Sequence, residues 1–205
     1  MKIYLSILLF VSASLFAQPD TSYSIYFNDI IFPISNNGIL ADAAINENLR
    51  GMLYKNKSVL FSGGFYLSGY NDGKLWANGV ASASRNEDYL PGSYKHRDLY
   101  KLAKVYSVRS DEPFGEGWHN WKDAVKLGAD FHDGDKDGIY NPIDHNRNSQ
   151  WDYNEDRPDL IGNETVWCVF HDNVPGPRRR MIGESLGIDI QQTVFTTMLK
   201  NIIFV

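Results

Sequence analysis

Asp133, Asp135 and Asp137 stand at alternate positions ahead of Gly138, and Asn141 and Asp144 follow at the ninth and twelfth places of the same frame. Oxygens at places 1, 3, 5, 9 and 12, with glycine at 6, are the spacing that wraps a hard cation of calcium size. The glycine lets the backbone turn sharply enough for the first three side chains to converge. Place 7, Ile139, offers its carbonyl, and Tyr140 at place 8 reads as an apolar anchor. Asn141 suits contact through water, and the Asp144 carboxylate closes the loop. A solvated turn without an ion would have to hold like charges two residues apart with nothing to offset them.

A second frame begins on that same Asp144 and runs through Asn146, Asn148, Ser149, Asp152 and Glu155, with Trp151 as its anchor. Asparagine for aspartate lowers the ligand charge, and Ser149 stands where glycine is preferred, so this loop is the weaker of the two. The expectation is two calcium ions (Ca2+), with Asp130, Asp156 and Asp159 available as further ligands at the edges. Residues 130–159 carry nine acids against Lys136, Arg147 and Arg157, a net charge of −6. The chain without its first 17 residues also sums to −6, so all of its excess negative charge lies in this stretch.

These are not ordinary EF-hands. Pro142 falls at place 10, where an exiting helix would start, and the second frame opens before any helix could form. Overlapping Asp/Asn loops without helices resemble thrombospondin type 3 repeats, in which ions stand in for a hydrophobic core. That resemblance implies a structural role for the metal.

Other chemistry is poorly supported. The chain lacks HExxH, GxxxxGK and any Cys/His zinc pattern, and GESLG over 183–187 matches GxSxG by spacing alone. His96, His119, His132, His145 and His171 permit a hydrolase to be drawn, but His132 and His145 lie in or beside the oxygen-rich loops, which suit hard ions, and read as exposed. The alternative function is a glycan-binding or adhesion module using Trp76, Trp118, Trp121, Trp151, Trp167 and the 12 tyrosines as stacking platforms. Their strand and helix spacing favours core packing instead. Arg178-Arg179-Arg180 is the only basic run, so no nucleic-acid partner is expected, and a surface or glycan ligand remains the open partner class.

The elements that must position the loops read as mainly β: an antiparallel sheet or β-sandwich with one short helix and the calcium-loop segment 130–159 inserted. The 205 residues suffice for one sizeable core. Residues 22–34 alternate as a strand that Pro33 should terminate, and Asn36-Asn37-Gly38 turns the chain into a short apolar stretch over 39–44. Val59–Tyr70 reads as one strand with Gly63-Gly64 as a bulge or close-packing point. Asn71-Asp72-Gly73 turns it into a hairpin with a strand over 75–84. Residues 85–109 read as a long ordered loop with a short strand near 105–108. Trp118, Trp121 and Val125 predict an amphipathic helix over 117–127, and 165–171 and 188–197 are further strands.

Both ends carry information. Lys2 followed by the apolar run from Tyr4 to Phe16, with Ala17 before Gln18, reads as a signal peptide over 1–17. Residues 18–205 then form a single domain that is secreted or on the cell surface, with no membrane span after signal removal. Asn201–Val205 is a strand pattern without a polar exit, which reads as a domain cut short. Cys168 is the only cysteine, so no intramolecular disulfide forms, and its apolar neighbours make it a core residue.

Three stretches together, Ser62–Gly69 (SGGFYLSG), Glu87–Gly92 (EDYLPG) and the loops over 128–159, occur in that order in large proteins exported by the bacterial type IX (Por) secretion system. The chain resembles the N-terminal portion of such proteins over roughly residues 25–205. The resemblance implies a surface or secreted role without catalytic residues. It also implies a C-terminal sorting domain, which is not expected within residues 18–205.

Overall fold

The computed structural model describes residues 22–42, 51–79, 88–175, 184–199 and 202–204. Its architecture is mainly antiparallel β with one α-helix, as the sequence pattern predicts. The N-terminal stretch is not one strand but a hairpin of β1 (Ser22–Phe27) and β2 (Ile30–Ser35). Asn28, at φ 52°, makes the left-handed turn that asparagine tolerates. Pro33 does not end β2. It sits where β2 changes partners, from β4 (Met52–Tyr54), paired at Ile30 and Ile31, to β3 (Ile39–Leu40), paired at Ile34.

The predicted strand over 59–70 is likewise divided. β5 (Lys57–Leu60) pairs with β4, β6 (Gly63–Gly64) bridges to β3, and β7 (Tyr66–Asn71) leaves to form a separate hairpin with β8 (Lys74–Gly79). A Cβ at Gly63 would stand 3.7 Å from that of Leu40, an ordinary contact, so close packing does not require a glycine there. The β7–β8 turn, Asp72-Gly73, is left-handed at both residues, as a two-residue hairpin of the type I′ kind requires. The remainder of that predicted strand, 80–84, lies outside the described residues, as do 43–44, the signal segment and Arg178–Arg180.

The second sheet is built on β13 (Glu164–His171), flanked by β10 (Tyr106–Arg109) and β9 (Leu90–Pro91) on one edge and β14 (Asp189–Leu199) on the other. β15 (Ile202–Phe204), in the apolar C-terminal run, adds to β14. Within 85–109 the pattern missed β9 and a 3-10 helix over Arg97–Leu102. Every residue of β13 is buried, because both of its faces are covered. Val166, Cys168 and Phe170 pack towards Ile25, Ile34 and Ile39 of the first sheet. Trp167 and Val169, on the opposite face, pack with Trp118, Trp121 and Ala124 of α1 (Glu116–Lys126). Burial pushes the Cys168 thiol up to about 12, so it is an inert core group. No helix among the described residues is long and apolar enough to cross a membrane.

From α1 the chain enters β11 (Phe131–His132), passes through the acidic loops, and returns as β12 (Arg157–Pro158), which pairs antiparallel with β11. Neither strand is visible in the sequence pattern. This two-residue ladder closes the base of the loops and fixes 133–156 against the core.

Candidate metal centre

The carboxylates of Asp133, Asp135 and Asp137 converge, each offering an oxygen within 4.8 Å of the others, and could hold a metal ion. Short backbone hydrogen bonds impose this. The Asp133 carboxylate accepts the Gly138 N–H at 2.9 Å, Asp135 accepts that of Asp137 at 3.1 Å, and Asp137 accepts that of Ile139 at 2.7 Å. Lys136 and Gly138 are both left-handed, which curls the chain around its own side chains.

Eleven residues on, the second loop repeats the pattern. Asp144 accepts the Ser149 N–H at 2.8 Å, Asn146 that of Asn148 at 3.0 Å, and Asn148 that of Gln150 at 2.7 Å. Arg147 and Ser149 adopt the left-handed conformation at places 4 and 6, matching Lys136 and Gly138. The two frames read from spacing are therefore two copies of one backbone geometry.

In its hydrogen bonds Asp144 serves the second loop alone. Both Asp144 oxygens turn into the second loop, accepting from Asn148 at 3.2 Å and from Ser149. The second loop is closed by Glu155, whose two oxygens accept the N–H groups of His145 at place 2 (2.7 Å) and Asp152 at place 9 (3.0 Å). In the first loop the same two places belong to Gly134 and Asn141, and both N–H groups go to Asp156, at 3.0 and 2.6 Å. Asp156 is thus the counterpart of Glu155, and the adjacent pair clamps both loops. Both carboxylates are almost wholly buried.

The remaining predicted residues fall as follows. Tyr140 is buried in the α1 core and donates its hydroxyl to the Trp118 carbonyl, so the place-8 anchor holds. Trp151, the second anchor, is half-buried beneath the Arg157 guanidinium. The Asn141 side-chain oxygen accepts from Lys122 at 2.8 Å, and Ile139 is exposed. In the second loop the amides of Asn146 and Asn148 both donate to Asp152, drawing places 3, 5 and 9 together. Asp130 and Asp159 lie beyond the ladder, beside Trp121 and Trp167, apart from the loops. His132 is half-buried between Trp151 and Tyr153 rather than exposed, whereas His145 is exposed.

Electrostatically the two loops are unequal. Asp135 has its carboxyl raised above the usual range: the hydrogen bond from Asp137, which lowers it, is outweighed by desolvation and by the charges of Asp137, Asp156 and Asp133. One oxygen of Asp133 is buried with no hydrogen-bond partner. The second loop relieves the same crowding with neutral amides that donate to its carboxylate.

Ser149 carries a cost that glycine would not. A left-handed L-residue is disfavoured by about 1–2 kcal/mol, partly offset by the larger unfolded-state entropy of glycine. Ser149→Gly is expected to raise unfolding free energy by about 0.5–1 kcal/mol, measured by urea denaturation. A variant less stable than the parent would show that the serine side chain contributes something else.

No family model matches the chain, and no curated protein and no solved structure matches it.

Proposed function

We propose that residues 133–156 bind two calcium ions in a structural role, within a non-enzymatic module of an exported protein. The observation that carries this reading is the convergence of Asp133, Asp135 and Asp137 around a buried carboxylate oxygen with no donor. A cation would offset three like charges so close, and the lining is oxygen only, which favours a hard ion over zinc. The segment is held by ladder, clamp and anchors, so an ion there fixes the outer layer of the fold instead of driving a movement. The first loop binds more tightly, because its carboxylates have no internal donor such as the amides of Asn146 and Asn148. Export rests on the N-terminal sequence and on the type IX resemblance, and the same resemblance supports a surface or secreted setting.

An ion that binds only the folded state stabilises it by mass action, by about 2.7 kcal/mol per site at a hundredfold excess over Kd. For a chain of this size that is about 5–10 °C in Tm per site. Chelation is expected to lower Tm by at least the smaller amount, and added calcium, followed by calorimetry, to restore it with two ions per chain. A melting curve indifferent to chelator, with no calcium bound by the purified protein, would rule the reading out.

A further inference from the structure

We propose that the cleft between the β1–β2 turn and the adjoining ends of β10 and β13 binds a neutral saccharide unit. Its centre is Glu164, only 4% exposed, which faces Arg109 across the β10–β13 ladder. One Glu164 oxygen accepts from the Tyr23 hydroxyl at 2.6 Å and from Ser107 Oγ at 2.9 Å. Burial and the hydrogen bond to Glu164 push the Tyr23 phenol up to about 12, so it keeps its proton and remains a donor. The other Glu164 oxygen has no donor among the described residues. A buried carboxylate is thus held rigidly with one acceptor to spare.

Two depressions open on either side of Arg109. One, of about 220 Å³, is lined by Tyr26, Asn28, Asp111, Asn163 and Glu164 as well as the arginine. The other, of about 240 Å³, adds Glu112, Glu116 and Asn120 beside Tyr23 and Ser107. Each is smaller than the roughly 300–1,000 Å³ of a drug-sized site and suits one hydroxylated ring.

The charges decide the ligand class. Arg109 is bound to Asp111 at 2.7 Å and lies 3.4 Å from Glu112, and carboxylates outnumber it in both depressions. A phosphate, sulfate or uronate would enter a net negative site. An ammonium ion only donates, and would leave the NH2 groups of Asn28 and Asn163 without an acceptor. Asn163 already spends its oxygen on the Met198 N–H, which leaves its NH2 to donate. Hydroxyls both donate and accept, so a polyhydroxylated neutral ring satisfies the mixed lining. Tyr26, 64% exposed at the rim, offers the ring an apolar face. Trp76, Trp118, Trp121 and Trp167 do not compete for this role, since all are buried, and Trp151 is covered by the Arg157 guanidinium.

The test is affinity electrophoresis of the calcium-loaded protein in native gels containing galactomannan, xyloglucan or glycogen, with alginate as the anionic comparison. Retardation is expected in at least one neutral gel and not in alginate. Tyr26→Ala and Asn28→Gly are expected to weaken that retardation about tenfold at unchanged Tm, because Tyr26 is exposed and Asn28 is already left-handed. Free migration in all three neutral gels would overturn the proposal. So would stronger retardation in alginate, or variants that are retarded as strongly as the parent.

Discussion

Asp156→Ala is expected to abolish one of the two calcium ions and to lower Tm by about 5–15 °C in saturating calcium. The carboxylate is buried, and its removal leaves the N–H groups of Gly134 and Asn141 without their acceptor. Each unpaired N–H costs about 1–3 kcal/mol, less where water reaches it, and Asn141 is partly open to solvent, so about 2–4 kcal/mol is expected in all. The loss of the ion adds to this at high calcium. Asp144→Ala supplies the contrast. It removes the acceptor for Asn148 and Ser149 in the second loop but leaves both first-loop N–H groups paired. Calorimetry should therefore show the tighter site lost from the Asp156 variant and kept in the Asp144 variant. Two ions bound with parental affinity by Asp156→Ala would overturn the assignment of Asp156 as the closing residue.

The pattern 1-3-5 was readable from sequence because those contacts are local: each side chain reaches a backbone N–H two or five residues on. The Asp156 clamp on the first loop was not readable for the opposite reason. Its closing acid is 22 residues from Gly134 and is brought there by a ladder of two residue pairs, Phe131–Pro158 and His132–Arg157, too short to leave a periodic trace. Chain reversals misled in the same way. The inward face switches from Tyr23, Ile25 and Phe27 to Phe32 and Ile34 at the Asn28-Asp29 turn, but Ile31 keeps the earlier spacing, so a hairpin mimics one strand. The helix and β13 were legible because their apolar spacing answers to a core on one face or both. Burial of the cleft carboxylate Glu164 had no such trace, since it depends on Tyr23, 141 residues away.

The other large effect is expected at a glycine that the calcium frame does not single out. Spacing marks Gly138, at place 6 and φ 77°, as the required glycine, yet nothing lies within 4 Å of a Cβ built there. Gly138→Ala therefore meets only backbone strain of about 1–2 kcal/mol. At Gly134 a Cβ would stand 2.5 Å from the carbonyl carbon of Asn154 and the oxygen of Glu155, and closer still to the Glu155 nitrogen. All three are backbone atoms, so no side-chain rotation relieves the contact. The outgoing segment must move away from 154–155 by roughly 1 Å, near the limit at which a hydrogen bond survives. That displacement pulls the Gly134 N–H from Asp156 and shifts Asp133, and it strains the segment from which Glu155 closes the second loop. Overpacking of about 1–3 kcal/mol combines with the broken clamp, for about 3–5 kcal/mol in all. Gly134→Ala is expected to lower Tm more than Gly138→Ala in calcium and in chelator alike, and to weaken both ions, whereas Gly138→Ala weakens only the first. The reverse ranking would mean that the loops are held by their own turns, and that the docking of 134 on 155 contributes little.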